Sequence, residues 1–131
     1  MKKFFFDLNR NIATTSRLKT VCFEETYGRH ILRKVIANLH IERALDIGSG
    51  EGHDLTVLRE YFPKASLSAI DHKDIHFEKL TNFEIAAHRL NIEKDKLPFA
   101  DGELDFVIAN QVLEHIKELF WINNEVFRVL K

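Results

Sequence analysis

The chain has 131 residues, enough for one domain that buries roughly two thirds of the surface its unfolded form exposes. With 19 basic side chains against 20 acidic ones the net charge is −1, so there is no basic excess to hold a nucleic-acid backbone, and no nucleic-acid partner is expected. The lone Cys22 cannot form an internal disulfide, which fits a reducing cytoplasm; no apolar run reaches membrane-spanning length, so no membrane association is expected either.

Residues 1 to about 24 carry weak periodicity and read as an N-terminal arm, irregular or partly helical. Asp7, Asn9 and Arg10 follow Phe4-Phe5-Phe6 too closely for a signal-peptide core. From Thr26, apolar residues at Ile31, Leu32, Val35, Ile36 and Leu39 recur at helical spacing. A first strand follows over Arg43–Ile47, then a helix from His53 to Tyr61 that Pro63 stops. Ser66–Ile70 predicts a second strand ending on Asp71, and Asp74–Leu80 a short helix. Phe83–His88 predicts a third strand, and residues 91–99 a loop in which Pro98 bars helix. Asp105–Ala109 is apolar enough for a fourth strand buried on both faces, and a helical region runs from about Val112 to the end, broken near Lys117. Strands alternating with helices give an α/β fold with a parallel sheet and right-handed crossovers. The whole chain reads as a single domain, with residues 43–131 forming its ligand-binding half.

In such sheets ligands sit beyond the carboxyl ends of the strands. After the first strand, Leu45-Asp46-Ile47 runs into Gly48-Ser49-Gly50-Glu51-Gly52, three glycines at alternate positions, and a helical pattern opens at once. Gly48 and Gly50 lack a Cβ, so the chain can turn sharply and let a ligand touch backbone. A dinucleotide fingerprint would place its third glycine at position 53, where this chain has His53, which disfavours a nicotinamide-dependent oxidoreductase. After the second strand comes Asp71, 23 residues past Gly48, a carboxylate able to accept both ribose hydroxyls of an adenosine; the alternative is a solvated turn aspartate. The loop after the third strand reads Asn91-Ile92-Glu93-Lys94-Asp95-Lys96-Leu97-Pro98-Phe99, followed by Leu104-Asp105-Phe106-Val107. The fourth strand leads into Val112-Leu113-Glu114-His115-Ile116, and the chain closes on Glu125-Val126-Phe127-Arg128-Val129-Leu130-Lys131.

Together, over residues 43–131, these motifs resemble the class I S-adenosylmethionine-dependent methyltransferases of small-molecule type. The resemblance implies a three-layer Rossmann-like sheet in strand order 3-2-1-4 and S-adenosyl-L-methionine as cofactor, leaving S-adenosyl-L-homocysteine as product. It implies a cofactor site built from Asp46, Gly48, Ser49, Gly50, Asp71, His72, Asn91, Ile92 and Asn110. Asp71 would serve the ribose, with His72 beside it counted in the same cofactor site. Asn91 stands where the family usually has Asp, and its side-chain oxygen would accept from the adenine amino group beside the backbone N–H of Ile92; alternatively it only caps its turn. Asn110 and Asp46 would line the methionine half. Leu104 replaces a usual Phe, and Asp105, at the far end of its strand, is structural.

The expected function is methyl transfer to a small-molecule or glycan-type acceptor; the rival is a non-catalytic cofactor-binding or interaction module. No catalytic residue is assigned: His115 could serve as a base, or simply bond nearby backbone. No metal site is expected either, because the His72–His76 pair lacks a third ligand. The family's sheet has seven strands, and this sequence ends before the fifth. The expectation is therefore a chain cut short after the fourth strand and its helix, with Val107 and Ile108 on an exposed edge and Leu119, Phe120, Trp121, Phe127 and Leu130 short of neighbours: either a fragment of a longer gene product, or a chain that buries this edge in a homo-oligomer.

Overall fold

In the computed structural model the backbone is described for Phe4–Phe5 and for residues 23–131, and side chains from residue 28 onward. Strand β1 (Phe4–Phe5) is followed by helix α1 (Phe23–Ile36), β2 (Arg43–Ile47), α2 (His53–Tyr61), β3 (Ser66–Asp71), α3 (Phe77–Asn82), β4 (Ile85–Arg89) and β5 (Phe106–Ile108). A single 3-10 turn over Leu113–His115 then leads to α4 (Leu119–Val129). The sheet order is β1-β5-β2-β3-β4, all parallel. The four expected strands are β2 to β5, and they lie in the expected order 3-2-1-4.

Alternation along the strands sorts the core into two layers. Ala44 of β2, Leu67 and Ala69 of β3, and Phe106 and Ile108 of β5 face α1, α2 and α3, packing with Leu32, Ile36, Leu55, Leu58 and Leu80. Leu45, Ile47, Ile70 and Val107 face the other way, onto Ile122, Val126 and Val129 of α4. The central strands β2, β3 and β5 are therefore buried on both sides, which is why their sequences read as largely apolar runs. Pro63 stops α2, and Arg59 ties off the following turn by donating to the carbonyls of Pro63 (3.1 Å) and Ala65 (2.8 Å).

Several expectations need correction. The edge of β5 is not open, because Phe4 pairs with Val107 and Phe5 with Ile108. The N-terminal arm thus contributes a fifth strand, which its unalternating Phe run did not signal; the rest of the arm up to Cys22 lies outside the described residues. Leu130 is buried at 4% exposure, its backbone bridged to Leu104, whereas Phe120 stands 89% exposed. Helix α3 starts at Phe77, not Asp74, so His72 and His76 precede it and share no helical face. Asp105 is structural as expected: its carboxylate accepts from the backbone N–H of Glu42 and of Arg43 (both 2.9 Å) and from Lys131 Nζ (2.6 Å).

A second tether holds the Leu97–Asp101 loop onto α4. Arg128 donates to both carboxylate oxygens of Glu125 (3.0 and 2.8 Å), to the carbonyls of Leu97 and Phe99, and to Asp101, while Glu125 accepts from the Leu97 N–H (2.8 Å). The hydrogen bonds from Arg128 outweigh burial and hold the Glu125 carboxyl below its usual range.

Candidate functional site

The parity that sorts the core also gathers the polar side chains. Asp46 follows Ala44 on the α1–α2 face of β2, Asp71 follows Ala69 on β3, and Asn110 follows Ile108 beyond β5. All three stand at the carboxyl end of the sheet, where the loop Gly48–Gly52 turns into α2. Gly48 N donates to the Ile70 carbonyl (2.7 Å). Gly48 (φ +72°) and Gly50 (φ +49°) both lie in the left-handed region that an L side chain resists. A Cβ on Gly48 would run into Val112, whereas one on Gly50 would meet open space. The loop is therefore packed on one side and bare on the other.

Asp71 is the loop's clamp. One carboxylate oxygen accepts from Gly50 N (3.1 Å); the other accepts from Lys73 N (3.1 Å) and lies 3.1 Å from His72 Nδ1. Each oxygen has two lone pairs, so capacity for a further donor remains. From there an open cleft of about 850 Å³ extends over the ends of β3 and β4. Of the expected site residues Gly48, Asp71, His72, Asn91 and Ile92 line it; Gln111, Val112, His115 and Ile116 close the opposite side. Asn91 Oδ1 accepts from Glu93 N (3.0 Å) and so caps its own turn, leaving one lone pair on the oxygen expected to meet adenine. The turn is fastened across the cleft, since Glu93 accepts from Lys117 N (2.7 Å).

The other four, Asp46, Ser49, Gly50 and Asn110, do not line this cleft. Three of them border a buried polar corner between the glycine loop and α1. Asn110 Nδ2 donates to Asp54 Oδ2 (3.1 Å) and rests 3.6 Å from where a Cβ on Gly28 of α1 would be. The other oxygen of Asp54 lies 3.7 Å from Arg29 Nε, and neither of those atoms makes a hydrogen bond; nor does the buried hydroxyl of Ser49. Burial, then the charges of Asp54 and Asp71, push the Asp46 carboxyl well above its usual range. Arg29 and Asp54 are the members that sequence reading missed. Asp54 lay in plain view in the first turn of α2, but Arg29 reaches the corner only through the packing of α1. Gln111, held at φ +55° on the cleft wall, was missed as well; such strain in a non-glycine residue is concentrated at functional sites.

A family model described as a methyltransferase domain matches residues 45–131. The chain belongs to the S-adenosyl-L-methionine-dependent methyltransferases. Among its relatives are the sterol 24-C-methyltransferase of Schizosaccharomyces pombe, 28% identical over 98 residues that cover 68% of this chain and 25% of that protein, and the malonyl-[acyl-carrier protein] O-methyltransferase of Legionella pneumophila, 30% identical over 91 residues that cover 67% and 32%. The chain thus spans between a quarter and a third of the length of these curated relatives. In fold it resembles a protein of Methanococcus maripaludis described as an S-adenosyl-L-methionine-dependent methyltransferase, with TM-score 0.70, 18% identity, and coverage of 84% of this chain and 53% of that one. It also resembles the [4+2]-cyclase SpnF, with TM-score 0.64, 21% identity, and coverage of 81% and 42%. The fold alone therefore does not fix the reaction.

S-Adenosyl-L-methionine is the cofactor of this methyltransferase family, and the residues present suit it. The ligand carries an adenosine and, at its other end, an amino acid with both charges. Here a cleft with a carboxylate at the loop adjoins a buried corner with an arginine, two acids and three polar atoms lacking hydrogen-bond partners. Buried polar groups are rarely left so, and a zwitterion offers donors and acceptors of both signs.

Proposed function

We propose that this methyltransferase chain holds S-adenosyl-L-methionine across the glycine loop and supports methyl transfer to a small-molecule or glycan-type acceptor. The observation that carries this reading is the Gly50 N–H bonded to Asp71, which couples the backbone turn to the carboxylate suited to ribose. In this reading Asp71, with His72 beside it, takes the ribose. Asn91 and the Ile92 N–H take the adenine edge. Asp46, Ser49, Asp54, Asn110 and Arg29 hold the amino-acid end, Arg29 facing its carboxylate. The bare side of Gly50 leaves room for the ligand to lie against backbone.

The cofactor supplies an activated methyl group on a sulfonium, and the chain's contribution is to hold donor and acceptor in line. Acceptors would enter on the Gln111–Ile116 side of the cleft. There Glu93 is engaged with Lys117 N, and His115, exposed at the rim beside Glu114, would take a proton from an acceptor that must lose one. The relatives act, by their names, on a sterol carbon and on a carrier-bound malonyl oxygen, so the acceptor panel should include apolar polycycles and carboxylates besides sugars. The test is transfer of label from methyl-labelled cofactor to that panel. Labelled product with any member supports the reading. Tight cofactor binding without transfer to any acceptor would favour the non-catalytic module.

A further inference from the structure

Resting on the cofactor reading above, we propose that docking of an amino-acid end at the corner displaces a proton from Asp46, making Asp46 a residue that ties cofactor affinity to pH. Asp46 is 3% exposed, and its register partners on either side, Ala69 of β3 and Ile108 of β5, are apolar. The charged groups that act on it are both acids, Asp54 from α2 and Asp71 from β3; Arg29 of α1 lies against Asp54, and β5 contributes only the neutral Asn110 just beyond its end. Arg29 is paired with Asp54. Among the described residues no side-chain hydrogen bond or ion pair reaches the Asp46 carboxyl. Two acids, Asp46 and Asp54, thus share one cation in a buried corner with the Asp71 carboxylate nearby, and an uncompensated buried charge is avoided by staying protonated.

Two further observations support a ligand at the corner. Ser49 and Asp54, both at least nine-tenths buried, each point an oxygen that has no hydrogen-bond partner. An arriving α-ammonium group supplies the missing charge. The carboxylic acid then loses its proton to the buffer, and the ammonium takes its place beside the carboxylate, so that charge balances. Between the lower value that Asp46 takes beside the ligand and the raised value it has alone, affinity should rise with pH, by up to about tenfold per unit. Above that window it should be flat.

The experiment is titration calorimetry of the whole chain from pH 5 to 8, in paired buffers of low and high ionisation enthalpy. The probes are S-adenosyl-L-homocysteine and 5′-methylthioadenosine, which shares the adenosine but lacks the amino acid. The expected result is proton release with the first probe and none in excess with the second. The difference between probes also cancels any proton change at the adenosine end, which both ligands share. Asp46→Asn should bind with no pH slope of its own, and Asp54→Asn should move the slope to lower pH without abolishing it. Equal proton release by both probes, or an unchanged slope in Asp46→Asn, overturns the inference while leaving the cofactor reading intact. Failure of both probes to bind overturns both.

Discussion

At the residue scale, the glycine loop is packed at Gly48 and bare at Gly50. Gly48→Ala would force a side chain into the left-handed region, at about 1–2 kcal/mol, and press it into Val112 as well. Stability measured by urea denaturation should fall by more than that backbone cost alone, and Val112→Ala in the same chain should restore the excess. In Gly50→Val the added Cβ meets no protein atom, so beyond the left-handed backbone strain the fold should be spared while ligand binding is lost; normal binding in that variant would remove Gly50 from the site. Arg128 acts in structure rather than chemistry. Removing it leaves Glu125 buried without its cation, at a cost of about 3 kcal/mol. Because Arg128 holds the folded carboxyl of Glu125 below its unfolded value, this contribution is full above the ordinary carboxylate range and is lost as pH falls through the lowered value. The gap between Arg128→Met and the unmodified chain should therefore close on acidification.

At the scale of elements, the sequence was a good guide wherever a local rule decides. Strands β2 and β3 are apolar runs that end at a glycine turn and an acid, and their bounds could be read within a residue. Pro63 and the Asn91–Pro98 stretch punctuated the chain where expected. Strand β1 was illegible because nothing local makes Phe4-Phe5 a strand; it exists through pairing with Val107 and Ile108 at the other end of the chain. Its consequence is testable. Removing residues 1–5 uncovers the backbone of β5, a parallel edge of apolar residues ready to pair with another chain. Sedimentation velocity at micromolar concentration should then show self-association beyond that of the full chain. Unchanged sedimentation would mean that β1 does not guard the edge.

At the scale of the molecule, the sheet's parity brings the site together. Asp46, Asp71 and Asn110 could be nominated from their places after strands, because the carboxyl ends of a parallel sheet converge. Their division into a cleft group and a buried corner could not be read, since it depends on Val112 lying over Gly48 and on α1 packing Gly28 and Arg29 against the loop. The Asn110–Asp54 bond spans 56 residues, and no spacing rule reports it. The central claim is that the cleft beside this corner is an adenosine site with Asp71 as its ribose anchor. Calorimetric titration with S-adenosyl-L-homocysteine tests it most directly, with NAD and the Asp71→Ala variant as comparisons. The account predicts saturable one-to-one binding of S-adenosyl-L-homocysteine in preference to NAD, and a loss in Asp71→Ala on the order of 2–3 kcal/mol, since both ribose bonds go to a charged acceptor. Unchanged affinity in Asp71→Ala, or a preference for NAD, would contradict it.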